Sequence, residues 1–82
     1  MAKFIGNVPF GGLKFNKLAG ANADTDIAVA GIEVSSTIVF CLELATTSND
    51  PTDRTATTSV TSKGNIQCSA STASDSLLLL WY

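Results

Sequence analysis

The chain has 82 residues, of which 45% are hydrophobic and 15% charged, with a formal net charge of −2 and no histidine. A domain of this size buries only about 60–65% of the surface its unfolded chain exposes, so its core is thin. The basic residues Lys3, Lys14, Lys17, Arg54 and Lys63 are dispersed, which speaks against a nucleic-acid groove, and no apolar run approaches the roughly 20 residues of a membrane-spanning helix.

Residues 1–12 mix Phe4, Ile5, Val8 and Phe10 with Gly6, Pro9, Gly11 and Gly12. Such a stretch turns easily yet carries side chains that favour burial, and it predicts an extended arm, closed over its own domain or reaching onto a partner. Residues 13–82 then form a single β domain. The start of the chain is a poor signal peptide, because Asn7 and Pro9 interrupt its apolar run and Lys14 and Lys17 follow, although Ala21-Asn22-Ala23 imitates a cleavage site. Synthesis in a cytoplasm without export by that route is expected.

Alternation over Leu13–Leu18 predicts a short first strand, and Gly20–Asp24 a turn. Ile27 and Val29 face one way and Ala28 and Ala30 the other, as in a strand packed tightly on one side. Thr37–Ala45 is the longest strand pattern, with Ile38, Phe40, Leu42 and Leu44 on one face and Val39, Cys41 and Glu43 on the other. Glu43 thereby reads as a solvated or interface charge. Thr46–Arg54, with Ser48-Asn49-Asp50-Pro51, reads as a loop. Thr55–Ser62 is Thr-rich and reads as an edge strand. Lys63-Gly64-Asn65 is a turn, Ile66, Cys68 and Ala70 alternate as a hairpin partner, and Ser71–Asp75 is a second polar loop.

The last segment, Ser76-Leu77-Leu78-Leu79-Leu80-Trp81-Tyr82, is apolar almost without interruption, which predicts a strand covered on both faces. Trp81 and Tyr82, with no following residue here to cover them, are expected as subunit-interface anchors, since these side chains are enriched at interface hot spots. No helical stripe is present. The expected fold is all-β: a small antiparallel β-sandwich or jelly-roll-like barrel of about six strands.

Chemistry-bearing groups are sparse. Cys41 and Cys68 lie inside predicted strands and read as small buried side chains more than as staples. Asn22-Ala23-Asp24-Thr25-Asp26 with Glu33 echoes a calcium loop, but Ile27 stands where that loop needs glycine, and a polar turn is the better reading. Ser62-Lys63 is a poor nucleophile–base pair because adjacent side chains in a turn point apart. Glu33 and Glu43 could in principle do acid–base work but Glu43 reads as a solvated or interface charge, Asp50 and Asp53 form an acidic pair that reads as ordinary turn chemistry, and no phosphate-cradling loop is present. No catalytic residue, metal site or cofactor is expected, and the chain is not expected to be an enzyme. Small scaffolds of this kind lean on staples or oligomerisation, and a homo-oligomer is the expectation here.

Asp24-Thr25-Asp26-Ile27-Ala28-Val29-Ala30-Gly31-Ile32, Thr61-Ser62-Lys63-Gly64-Asn65-Ile66-Gln67-Cys68-Ser69 and Leu77-Leu78-Leu79-Leu80-Trp81-Tyr82 resemble segments of small virion proteins of tailed bacteriophages of the capsid decoration, or cement, type. The resemblance implies a compact β domain, commonly a trimer, on the outer face of a lattice of HK97-fold major capsid protein, and hence virion localisation. On that reading the arm is a capsid contact through Phe4, Ile5 and Phe10. The alternative in the same setting is a receptor- or glycan-binding module of a tail or fibre, presenting the Thr46–Arg54 loop.

Overall fold

A computed structural model describes residues 12–48 and 50–82, together with the backbone pairing of Phe4–Ile5 and Val8–Pro9. The chain is all-β, and every strand pair is antiparallel. Strands β1 (Phe4–Ile5) and β2 (Val8–Pro9) pair as a minimal hairpin within the segment expected as an extended arm. Phe10, the third of the proposed arm anchors, lies outside the described residues.

The domain is a small sandwich of two sheets. The larger has the order β3-β9-β5-β6, formed by Lys14–Ala19, Ser76–Trp81, Ile38–Leu44 and Pro51–Asp53; the smaller has the order β4-β8-β7, formed by Ile27–Ala28, Asn65–Cys68 and Thr58–Ser62. The leucine-rich β9 is thus an interior strand, hydrogen-bonded along its length to β3 on one side and β5 on the other. That position explains its sequence, because an interior strand needs no polar edge.

The core forms where the sheets face each other. Leu77, Leu79 and Trp81 of β9 and Cys41 of β5 meet Ile27, Val29, Ile32 and Ile66 from the side of the smaller sheet. Each such aliphatic side chain contributes about 1.5–3 kcal/mol when fully buried. Cys41, Ile32, Ile66, Leu77 and Leu79 are completely covered.

A bulge alters the expected faces of β5. Ile38 pairs with Trp81 but Phe40 pairs with Leu80, so two steps on β5 match one on β9. The extra residue, Val39, is left exposed. Ile38 therefore packs against the core while Phe40, Leu42 and Leu44 take the opposite face, and the core side of β5 is the Cys41/Glu43 side. The expectation of Glu43 as a solvated charge is corrected: it is 7% exposed and bonds Arg54 Nε through Oε1 at 2.8 Å.

Two other expectations change. Pro51–Asp53, read as loop, is edge strand β6, where polar exposed residues suffice because only the backbone pairs and proline is tolerated at the first position. Thr55–Thr57, read as the start of a strand, is a 3-10 turn, entered where the Thr55 N–H donates to Asp53 Oδ1 at 2.9 Å. That local bond competes with strand pairing.

The loops flanking β3 and β9 are clamped together. Ala21 N–H donates to Thr72 Oγ1 at 3.0 Å, Thr72 N–H donates to Ala21 O at 2.8 Å, and Gly20 N–H donates to Asp75 O at 2.8 Å. Gly20 is required here because a side chain would run into the Thr72 carbonyl. At the other end, Gly64 adopts φ +84° in the β7–β8 turn, a conformation open to glycine. It donates to Ile32 O and accepts from Val29 N–H.

Thr72 is 1% exposed, so removing its hydroxyl while keeping its shape leaves the Ala21 N–H unpaired. Thr72→Val is expected to lose about 1–3 kcal/mol in denaturant unfolding, and Thr72→Ser substantially less.

Candidate interaction surface

Alternation along the larger sheet, shifted once at the Val39 bulge, sorts its side chains onto two faces. Leu77, Leu79 and Trp81 point to the core; Leu78 and Leu80 point away. The registers carry this second set across the sheet. Phe15, Leu80 and Phe40 form one row, Lys17, Leu78, Leu42 and Asp53 the next, and Ala19, Ser76, Leu44 and Pro51 a third. The centre of this outer face is apolar: Phe40, Leu42, Leu44, Leu78 and Leu80 are half-buried, Phe15 is 59% exposed, and none belongs to the core cluster or packs against it. An ordinary antiparallel sheet presents polar residues on such a face.

The chain end divides into two roles. Trp81, expected as an interface anchor, is 5% exposed and sits in the core of its own subunit, where Nε1–H donates to Asn16 Oδ1 at 2.8 Å. The Lys14 ammonium lies 5.9 Å from the ring centroid, which adds a cation–π attraction. Tyr82, the other expected anchor, is 41% exposed and exchanges both backbone bonds with Thr37, at 3.0 and 2.7 Å. Of the two aromatics, only Tyr82 is exposed.

The remaining polar groups have local partners. Asp26 Oδ1 accepts from Gln67 Nε2 at 2.6 Å, and Glu33 faces Lys63 at 3.8 Å, so the carboxylates of the calcium-loop echo bond in different directions. Among the described residues no group of three or more His, Cys, Asp or Glu could hold a metal ion, and no pocket is present. Among them, too, no helix is long and apolar enough to cross a membrane.

Cys41 and Cys68 are free and buried. Burial pushes the Cys41 thiol up, against a smaller opposing effect of the Thr58 hydroxyl. Burial acts the same way on Cys68, but hydrogen bonds from Thr57, the Ala70 backbone and Thr58, with the Arg54 charge, outweigh it and leave that thiol below its ordinary value. At the outer edge, the Thr55 hydroxyl and N–H hold the Asp53 carboxyl below its usual 3.8.

No protein-family model, no curated protein and no solved structure matches this chain. The outer face was visible in the sequence as the second half of each apolar alternation, in Phe15, Phe40, Leu42, Leu78 and Leu80. Its placement away from the core was not, because the core side of β5 carries a cysteine and a glutamate.

Two expectations follow from this geometry. Phe15→Ser should change unfolding stability by no more than about 0.5 kcal/mol, whereas Leu79→Ala should cost about 2–5 kcal/mol. Because the folded Asp53 carboxyl is depressed, its bonds to Thr55 stabilise the fold above pH 3.8 and are lost as pH falls through the lower folded value. The acid side of a stability-versus-pH curve should accordingly be flatter for Asp53→Asn than for the parent chain.

Proposed function

We propose that this protein is a structural virion subunit, a decoration or cement protein that binds the outer face of a capsid lattice of the HK97 fold and stabilises it. The observation that carries this reading is the apolar outer face of the larger sheet, centred on Leu78, Leu80, Phe40 and Leu42 beside the exposed Phe15. A small sandwich with an apolar face that no described core residue packs against is suited to assembly, since apolar patches at the surface mark interaction sites. The resemblance of the Asp24–Ile32, Thr61–Ser69 and Leu77–Tyr82 segments to phage decoration proteins supports the choice of setting.

The mechanism is mass action. A subunit that binds the assembled lattice and not its dispersed components adds its binding free energy to the lattice, and repetition over many sites makes a modest contact effective. Residues 1–12, with Phe4, Ile5 and Phe10, supply the proposed capsid contact, and the domain supplies contacts between neighbouring subunits.

Mass spectrometry of native virions checks the reading. The expected copy number is of the same order as that of the major capsid protein, and a copy number far below it excludes a lattice-wide cement. Purified subunit added to undecorated shells is expected to bind saturably and raise their disruption temperature. Deleting residues 1–12 should abolish that effect while leaving the domain folded.

A further inference from the structure

The row Lys17, Leu78, Leu42 and Asp53 crosses the whole outer face, from edge strand β3 to edge strand β6. It carries a cation at one end, an anion at the other and two leucines between. Neither charge is in an ion pair with a described residue. Asp53 accepts from Thr55, and a carboxylate, with about four lone-pair positions, keeps acceptor capacity beyond that. A row of this kind is complementary to its own reverse.

We infer that two copies of this chain stack outer face on outer face about a two-fold axis running along the strands, with Lys17 of each copy against Asp53 of the other. Such an axis places β3 over the partner's β6 and β9 over its β5. The leucines of one row then lie on the leucines of the other, and both charge pairs form at the rim. The same operation brings Phe15 past the end of β6, over the Arg54–Thr57 turn that bonds to Cys41 of β5. This is an isologous contact, in which one patch serves both partners.

The inference rests on the reading of the outer face as the surface covered in assembly, and it names the occupant. Strand spacing and rise make the face about 15 Å by 20 Å, small beside the burial of about 1,200–2,000 Å² in a stable interface. The association is therefore reversible in free solution. It weakens with added salt, because rim charges are screened.

Charge exchange tests it. In sedimentation equilibrium, the parent chain is expected to move with concentration from one chain mass towards two. K17E and D53K should each weaken this about tenfold or more, since either change sets like charges against each other twice per pair. The double variant K17E/D53K restores the attraction and should recover most of the loss. So should an equimolar mixture of K17E and D53K, whose two-fold pair is fully matched. A head-to-tail ring of three cannot be completed from that mixture without a like-charge contact.

Circular dichroism and denaturant unfolding of each variant establish that a loss is not misfolding, and the double variant supplies an independent check. The stack is overturned by a parent chain that stays monomeric at high concentration, by a mass of three chains, by single variants that associate like the parent, or by a double variant as weak as the singles. A monomer that still binds and stabilises shells would overturn the stack and leave the proposed function standing. A stacking chain that ignores shells would do the reverse.

Discussion

Strand β9 lies between β3 and β5, and its alternate side chains point into two different environments. On one side Leu77, Leu79 and Trp81 complete the core with Ile27, Val29, Ile32 and Ile66. On the other, Leu78 and Leu80 are the middle of an apolar face that no core residue touches. The sandwich is consequently organised around one strand whose two faces do different work. The inner face builds the core, and the outer face lies outside it.

A thin core makes the polar supports count. Hydrogen bonds between Ala21 and Thr72 tie the loop after β3 to the loop before β9, so the strand that carries both faces is held at its entry as well as along its length. Glu43 on the core side of β5 reaches Arg54, which follows β6. A charge in that position is tolerated because it is paired, and losing either partner would leave the other poorly solvated. The cost of such pairs in desolvation is often comparable to their gain, and this one joins β5 to the residue that leads into the Thr55–Thr57 turn.

Much of the fold was legible from alternation and turn residues. Ile27–Ala28, Ile38–Leu44 and all but the first residue of Asn65–Cys68 lie where period-two patterns placed strands, and Ser76–Trp81 lies where an unbroken apolar run placed one. The illegible parts have physical causes. Backbone pairing alone makes β6, so Pro51-Thr52-Asp53 carry no apolar signature. The bulge at Val39 shifts the phase of β5 after its first residue, and no local residue type announces it. Trp81 and Tyr82 look alike as chain-end aromatics, yet a one-residue step sends the first inward and leaves the second beside Thr37. Because the outer face is as apolar as the inner one, hydrophobicity could not say which side was the core.

The two edges of the larger sheet explain how such a chain avoids uncontrolled association. An open edge of unpaired backbone groups invites strand addition, and proteins blunt it with lysine, proline and short strands. Edge β3 carries Lys14 and Lys17, while edge β6 is short and begins with Pro51. Growth in the plane of the sheet is thus discouraged at both ends, and of these residues Lys17 and Pro51 also border the apolar face. Contact through the face itself consumes that face, whereas edge pairing would leave a new edge and continue. Charges at the rim therefore act against open-ended pairing along the sheet.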